Sequence, residues 1–403
     1  MLMKRRVVIT GMGVISPIGN DLATFRENLK KGTCGKDSEG FPVIDGRKLP
    51  PVFRVKNFNP KRHGTHLLDP LIQYAVDAAE QAVADAHFDL TSVDPYSVGL
   101  SVSSSKGGVC TLDRFQERFL RHPSAIMGAR MYTSAVPNFA DQWIARRMKI
   151  RGPARCYVAA CATGAAALIA GFRVVSEGAA EYCLAGATDA SITPLMLAGY
   201  YNMKALAKNV IRPFDKRRDG FLVGDGAGVL FLETLESAKA RGIRIYGEIL
   251  ESAQGQDVTH PIHFDLKDHA LSYTLKVLME RASLTPKEID YISLHGTGTK
   301  QGDLYETLEI KEAFGKGAYR IPMSSTKGMT GHMLGATGAV EIIATLLAMQ
   351  EGFIPPTVGL EEKDPQCDLD YTPRKMREHS VRTAVKISLG FGGQVKAIAF
   401  RKI

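Results

Sequence analysis

Residues 156–167 read CYVAACATGAAA, an apolar, strand-like stretch that ends at Cys161 and is followed by unusually small side chains. These small residues predict a helix from residue 162 to about residue 177 that can pass through the centre of a protein. A cysteine at this junction lies near the positive end of the helix dipole, where the thiolate is favoured over the thiol. Cys161 is therefore a candidate nucleophile, and a packed core cysteine is the alternative.

Two histidines lie in segments that suit the rim of a cleft. His295 follows the apolar residues 289–294 and begins the run HGTGT, and His332 ends the run SSTKGMTGH. Glycine and threonine surround both, as expected where a tight turn places a side chain at the end of a strand. One cysteine with two such histidines is a candidate nucleophilic constellation, and a histidine packed in the core is the alternative for each.

Length and composition favour a large globular protein. The chain has 403 residues, of which 45% are hydrophobic and 23% charged, enough for one two-lobed domain or two ordinary ones. No apolar run is long enough to cross a bilayer, so we expect no membrane insertion. The basic residues 1–6 are followed by the glycine-containing residues 7–18, which read as a strand and a turn, so we expect no signal peptide. The six cysteines lack CxxC spacing, which argues against a zinc or redox motif and predicts a reducing, cytoplasmic environment.

The formal net charge of +9 could serve nucleic acid, a membrane surface or an acidic protein, and plain solubility is the alternative. The sequence has no recognised nucleic-acid module and no long basic run with interleaved aromatic residues. We therefore expect no nucleic-acid partner.

Strand-like and helix-like segments alternate along the chain without a low-complexity linker. This alternation predicts an α/β architecture with mostly buried sheets. The predicted strands cover residues 7–10, 98–102, 182–185, 229–233, 289–294, 383–388 and 397–401. The predicted helices cover residues 71–86, 235–241, 269–282, 305–314 and 338–351.

The motifs of this chain, in their order and spacing, resemble those of the elongating β-ketoacyl-acyl-carrier-protein synthases, and the synthase II type in particular. Each motif is weak alone, but together they are specific and cover nearly the whole length. They are VVITGMG (7–13), SPIGN (16–20), CATG (161–164), RPFD (212–215), RDGF (218–221), GDGAG (224–228), HGTGT (295–299), GD (302–303), KG (327–328), GH (331–332) and GFGG (390–393).

The resemblance implies the thiolase fold, in which two related α/β halves stack as a five-layered α-β-α-β-α sandwich. We place the division at residue 250, so that residues 1–250 carry Cys161 and residues 251–403 carry His295 and His332. The active site is then expected between the two halves.

The implied reaction is a decarboxylating Claisen condensation that uses no cofactor and no metal. An acyl group moves to Cys161, malonyl-carrier loses carbon dioxide, and the carbanion attacks the thioester to give a 3-oxoacyl-carrier. His295 and His332 match the residues that stabilise the enolate, and the backbone N–H groups of Cys161 and Phe391 match a second oxyanion hole. Phe391 also matches an acyl gate whose flanking glycines let its loop swing, and a glycine-rich bend is the alternative.

Supporting roles follow from the same resemblance. Lys327 is expected to hold the histidines in their working protonation state, and Glu341 to pair with it. Asp303 and Glu306 match positions that orient the residues near His295, although each carboxylate could equally lie on the surface. Four basic residues match positions for docking an acidic acyl-carrier protein, in its acyl and malonyl forms, with solvated surface charge as the alternative. They are Lys61, Arg62, Lys204 and Lys208.

The chain departs from the family pattern mainly in its acyl-binding parts. Lys106 stands where the family usually has an apolar residue that lines the acyl pocket. Either this lysine reaches outward, or the pocket is short, polar or shared with a partner chain. The segments ISL (387–389) and QV (394–395) also differ from the usual residues. These departures predict a specialised acyl preference instead of long saturated chains.

Three histidines in one loop region also depart from the family pattern, but irregular histidines are a weak metal signal, and we predict no metal site. They are His260, His263 and His269.

Two other members of the superfamily are less consistent with the sequence. A coenzyme A thiolase needs a second catalytic cysteine near the last glycine motif, and residues 390–393 contain none. A non-catalytic partner subunit typically lacks the active cysteine, which this chain has. We expect a homodimer, and the alternative is a ketosynthase subunit of a type II polyketide or specialised-lipid system that works with such a partner.

Overall fold

The computed structural model describes residues 5–37, 43–44, 46–61, 64–124 and 128–403. The strands are β1 (Val7–Ile15), β2 (Val43–Ile44), β3 (Arg47–Lys48), β4 (Val98–Ser103), β5 (Tyr182–Asp189), β6 (Gly226–Thr234), β7 (Gly247–Gln256), β8 (Tyr291–Ser293), β9 (Met323–Ser324), β10 (Phe353–Ile354), β11 (Arg377–Glu378), β12 (Thr383–Gly390) and β13 (Gln394–Arg401).

The α-helices are α1 (Leu22–Lys31), α2 (Pro70–Asp85), α3 (Val109–Arg121), α4 (Tyr132–Ala135), α5 (Phe139–Met148), α6 (Thr163–Ser176), α7 (Pro194–Asn202), α8 (Leu235–Arg241), α9 (Ala270–Ala282), α10 (Lys300–Phe314), α11 (Lys327–Thr330) and α12 (Thr337–Glu351). Short 3₁₀ helices cover Leu90–Ser92, Pro95–Ser97, Ala160–Ala162, Pro286–Glu288, Gly315–Arg320 and Leu334–Ala336.

Nine strands form one mixed sheet in the order β4-β5-β6-β1-β7-β13-β12-β8-β9. In the first half, β4 pairs with β5 in parallel, and β5 with β6 and β6 with β1 are antiparallel. In the second half, β8 pairs with β12 in parallel, and β12 with β13 and β13 with β7 are antiparallel. The two four-strand paths meet where β1 pairs with β7 over three residues. The chain therefore traces one topology twice. The predicted division at residue 250 falls inside β7 and stays a prediction.

Helices α6 and α12 lie between the two halves of the sheet. Helix α6 packs on β4, β5 and β13, and α12 packs on β6 and β12, so both helices touch both halves. Helix α2 covers the outer face of the first half, and α9 with α10 covers that of the second. This arrangement is the predicted α-β-α-β-α order, and the fold-class prediction is confirmed.

The small residues of α6 and α12 are required by a close helix crossing. A Cβ atom at Gly164 would come within 2.5 Å of the Ala339 nitrogen, and one at Gly338 within 2.9 Å of the Ala165 nitrogen. Every residue of α6 except Arg173 is buried. Larger side chains at the crossing would force the central helices apart, so the alanine-rich segment after the cysteine is what lets this layer form.

The strand-like stretch immediately before Cys161 does not form a strand. Residues 153–157 run beside the edge strand β4, where Leu100 exchanges backbone hydrogen bonds with Pro153 and Arg155. The Tyr157 N–H then donates to the Ser103 hydroxyl, and not to a backbone carbonyl as it would in a strand. Among the described residues, this segment has β4 beside it on one side only. Val158 is therefore 59% exposed although its side chain is apolar. No helix among the described residues is both long and apolar enough to reach across a bilayer.

Candidate active site

Cys161 lies at the N-terminal end of the central helix α6, in a strained turn. Ala160 has a φ of 47°, a left-handed conformation that costs an alanine about 1–2 kcal/mol. The Thr163 hydroxyl fixes this turn, since it accepts from the Ala159 N–H at 3.0 Å and donates to the Ala160 carbonyl at 2.7 Å. The turn directs the Cys161 side chain away from the helix and into a cavity.

Burial is the largest influence on the pKa of the Cys161 thiol. Burial raises the pKa of Cys161 above its ordinary value, while Lys106, Lys327 and the Phe391 N–H act in the opposite direction. The raised pKa describes a resting thiol, and the contribution of the helix terminus to the thiolate stays a prediction. The sequence could not show this burial because the groups that bury the sulfur come from distant segments.

The two predicted histidines lie side by side against this cavity. The His295 and His332 rings are 5.5 Å apart and nearly perpendicular. The backbone of His332 is held between Leu222 and Gly224 by hydrogen bonds of 2.8 and 2.9 Å. The His332 Nδ1 lies 3.0 Å from the Thr337 hydroxyl. When that hydroxyl donates, Nδ1 is the acceptor and Nε2 carries the hydrogen.

Both histidines are neutral at pH 7. The pKa of His295 lies well below 6.5, first because the ring is buried and then because Lys327, His332 and Lys386 oppose a further positive charge. The pKa of His332 is lowered in the same way by burial, Lys327, Lys106 and Lys386. A neutral imidazole offers one N–H donor, so the pair can stabilise a developing oxyanion without losing a proton to it.

A buried cluster of two lysines and one glutamate lies behind the histidines. The Lys327 ammonium donates to the His295 carbonyl and lies 2.7 Å from Glu341 Oε1. The Lys386 ammonium lies 2.7 Å from Glu341 Oε2 and donates to the carbonyls of Leu294 and Ile387 at 3.1 and 2.5 Å. The predicted pairing of Lys327 with Glu341 is thus present in the structure.

Lys386 was missed by sequence reasoning. Burial lowers its pKa, and Lys327 adds to this while Glu341 opposes it. The signal was a single lysine in the otherwise apolar or small-residue strand TAVKISLG, which is buried at every position. A charge in such a strand requires a partner on another element.

Asp303 and Glu306 act on the backbone of the histidine loop. The Glu306 carboxylate accepts the N–H groups of His295 and Gly296 at 2.7 and 2.8 Å. The Asp303 carboxylate accepts those of Gly298 and Phe214 at 3.1 and 2.7 Å. Burial raises the pKa of Asp303 to about 6 and that of Glu306 to about 7. Both carboxylates are buried, so the surface alternative does not apply to them.

Phe391 lies in the tight loop that joins β12 to β13. Its N–H faces the Cys161 sulfur. A Cβ at Gly390 would come 3.2 Å from the Cys161 nitrogen, so the two backbone N–H groups approach closely. Gly392 donates to the Pro261 carbonyl at 2.7 Å, and Gly393 accepts from Asp257 at 2.9 Å. A swing of this loop must break these two bonds.

One cavity joins most of the predicted catalytic residues. Cys161, His295, His332, Phe391 and Lys204 all line it, together with Asp303 and Glu306. Lys327 and Glu341 lie behind the histidines and outside its lining. Lys61 and Lys208 are exposed and not among the described residues that line the cavity, and Arg62 lies outside the described residues.

The three loop histidines make local contacts, and His263 also lines the cavity. His260 Nδ1 accepts the N–H groups of Ile262 and His263, and the His260 and His263 rings stack at 4.9 Å. His269 Nδ1 instead lies 3.1 Å from Glu309.

A cysteine at a central helix terminus, two neutral histidines and a duplicated α/β sheet define a condensing enzyme of the thiolase-fold class. Residues 4–238 match the Beta-ketoacyl synthase N-terminal domain, and residues 246–361 match the Beta-ketoacyl synthase C-terminal domain. The chain therefore belongs to the β-ketoacyl synthase family, whose members are acyl-transferring condensing enzymes.

Its relatives include enzymes of two pathways. The chain is 38% identical over 420 residues to the 3-oxoacyl-(acyl-carrier-protein) synthase 2 of Synechocystis sp., covering 100% of this chain and 99% of the relative. The ishigamide ketosynthase/chain length factor structure is 32% identical with a TM-score of 0.92, covering 99% and 100% of the two chains. A type II PKS acyl-carrier protein in complex with its ketosynthase bound to the hexaketide (AntDE:AntF) is 30% identical with a TM-score of 0.91 and the same coverage.

Proposed function

We propose that Cys161 accepts an acyl group from an acyl-carrier protein and condenses it with malonyl-carrier to give a 3-oxoacyl-carrier. The observation that carries this assignment is the shared cavity. Cys161, two neutral histidines and the Phe391 loop line it from separate parts of the fold. This is the constellation that acyl transfer and enolate stabilisation together require.

In the first step, the Cys161 sulfur attacks the carbonyl of the acyl-carrier thioester. The backbone N–H groups of Cys161 and Phe391 stabilise the oxyanion that forms. Because burial keeps the resting group a thiol, its proton leaves as the sulfur attacks, and the departing carrier thiolate takes up one proton in return. Proton balance is therefore kept without a permanent thiolate.

In the second step, the carbon–carboxylate bond of malonyl-carrier breaks and its electron pair moves into an enolate. The N–H groups of His295 and His332 donate to the enolate oxygen. Their low pKa values keep them neutral donors, and Lys327 supports this by opposing imidazolium formation. The enolate carbon then attacks the thioester on Cys161, whose sulfur leaves and recovers a proton.

An acidic carrier fits the charge of the chain. The net charge of +9 would steer such a partner, and the exposed Lys204 lines the cavity mouth where the carrier arm would enter. Lys61, Arg62 and Lys208 are proposed as outer docking positions. The free cysteines, which include the exposed Cys34, are consistent with the cytoplasmic location that we propose.

We further propose a homodimer formed along the edge next to β4. The segment that ends at Val158 lies along this edge with the exposed side chains of Tyr157 and Val158, and Leu120 on α3 is also exposed, at 69%. A heterodimer with a non-catalytic subunit is the second candidate, and the likeness to the ishigamide ketosynthase/chain length factor favours it. Native mass spectrometry of the purified protein, with a condensation assay, separates the two.

The first experiment is intact-mass analysis after incubation with a panel of acyl-carrier proteins. We expect one acyl mass on the wild-type chain and none on Cys161→Ala. An adduct that persists in Cys161→Ala would place the nucleophile elsewhere. A wild-type chain that takes no acyl group from any donor, although a partner subunit is supplied, would contradict the proposed function.

A further inference from the structure

Lys106 is held rigidly beside the nucleophile. It follows β4 in a loop fixed by the buried Asp189 carboxylate, which accepts from the hydroxyls of Ser104 and Ser105 at 2.7 and 2.6 Å. The same carboxylate accepts the Gly335 N–H at 2.6 Å. The backbone that carries Lys106 is therefore tied to the segment that follows His332.

The Lys106 ammonium lies beside the hydrophobic cluster that contains Cys161, and Lys106 is not among the described residues that line the cavity. Its Nζ lies 3.2 Å from the Ser105 hydroxyl and 5.9 Å from the centre of the Tyr200 ring. Tyr200 packs edge-on against Phe221 at 5.4 Å, and both belong to the same hydrophobic cluster as Cys161. The predicted alternative of a lysine that simply reaches outward does not fit these contacts.

This ammonium lacks an anionic partner. In the described part of the chain, no carboxylate lies within ion-pair distance of Lys106 Nζ, and the nearby Asp189 is already occupied by hydroxyl and backbone donors. Burial lowers the pKa of Lys106, yet the pKa is raised overall, and Asp189 is the neighbour that favours the ammonium while Tyr200 and Cys161 are protonated. An ammonium has three donors, and the Ser105 and Tyr200 oxygens take two of them.

We propose that Lys106 and Tyr200 form an oxyanion-binding subsite beside Cys161, at the position where the family resemblance places the acyl pocket, and that the acyl group carried by Cys161 ends in a carboxylate. This inference rests on the proposed function and names its substrate class: the half-thioesters of short dicarboxylic acids. A carboxylate supplies the missing anion and accepts the free donor, whereas an alkyl chain leaves the cation unpaired against hydrocarbon.

The test compares acyl-carriers matched in chain length, succinyl against butyryl and adipoyl against hexanoyl. The readout is the rate of mass addition to Cys161. We expect the wild-type chain to prefer the carboxylate-ended donor at least tenfold, about 1.4 kcal/mol. Lys106→Met should reverse that preference, and Tyr200→Phe should weaken it. Lys316→Met, which removes an exposed lysine from a distant loop, should leave the ratio unchanged.

Alkylation of Cys161 by iodoacetamide, together with thermal unfolding, reports whether each variant keeps its site, and Lys106→Gln replaces the methionine variant if that one fails to fold. An unchanged donor ratio in a folded variant overturns the subsite. So does an equal loss on both donors, because that outcome assigns Lys106 to activation of the thiol. A wild-type chain that forms adducts but prefers alkyl groups overturns this inference alone. The absence of every adduct overturns the proposed function instead.

Discussion

Replacing Glu341 with glutamine should expose the repulsion between the two buried lysines that it bridges. Its two carboxylate oxygens each lie 2.7 Å from an ammonium nitrogen, one from Lys327 and one from Lys386. The side chains of all three residues are at most 1% exposed. Glu341→Gln keeps the shape of the side chain but removes the negative charge between two positive ones.

The free energy of unfolding that Glu341→Gln removes has a lower and an upper limit. Removing one member of a buried ion pair costs about 3–5 kcal/mol, because it leaves an uncompensated charge. The upper limit is set by Lys386, which can lose its proton instead, since burial already lowers its pKa. Neutralising an ordinary lysine at pH 7 costs about 5 kcal/mol. We therefore expect Glu341→Gln to lower the free energy of unfolding by about 3–5 kcal/mol, and by less as the pH rises.

A double-mutant cycle measured by urea unfolding tests this reasoning. Lys386→Met leaves Glu341 paired with Lys327 and should cost less than Glu341→Gln. Adding Lys386→Met to Glu341→Gln should recover about 2 kcal/mol or more, because one of the two repelling cations is gone. The control cycle combines Lys386→Met with Glu233→Gln, whose carboxylate pairs with Arg241 instead. Additive effects at Glu341 and Lys386, within about 0.5 kcal/mol, would refute the reasoning.

Two further predictions concern the catalytic groups. Because the pKa values of both histidines lie well below 6.5, the neutral donor form persists as the pH falls through 6.5 and is lost only below it. Lys386→Met removes a positive charge that lowers the pKa of both histidines. In the pH profile of malonyl-carrier decarboxylation, the acid limb should therefore move to higher pH, and an unmoved limb would contradict this prediction. Gly390→Ala would place a Cβ 3.2 Å from the Cys161 nitrogen and should slow acylation at least about 100-fold. Gly199→Ala, which meets no atom within 4 Å and lies in helix α7 without a positive φ, serves as the control, and equal acylation rates in the two variants would argue against the oxyanion hole.

Features that depend on local pattern could be predicted from the sequence. The helix after Cys161 begins within a residue or two of its predicted start, and the small residues of its first turns mark the close helix crossing. The glycines at 164 and 338 could not be paired from the sequence, but each signals a close backbone approach. The motifs around His295 and His332 likewise identify the side chains that meet in the cavity.

Features that depend on tertiary neighbours could not be predicted. Residues 156–160 have the apolar character of a strand, yet they lie beside an edge strand and end in a strained turn at Ala160. Glu306 has the sequence position of an exposed helix carboxylate, but it accepts two backbone N–H groups of the histidine loop. Lys386 becomes intelligible only when the fold brings Glu341 beside it.

The three lysines around the cavity explain why a raised thiol pKa is compatible with nucleophilic catalysis. Lys327, Lys106 and Lys386 all lower the pKa of His332, and the first two also oppose the rise in the pKa of Cys161. One positive field therefore does two things. It makes imidazolium costly, which preserves the neutral donors, and it favours each anion of the cycle, the sulfur as it attacks and the enolate as it forms. Because burial keeps Cys161 protonated at rest, negative charge develops on the sulfur only as it attacks a thioester, where the positive field of the lysines favours it.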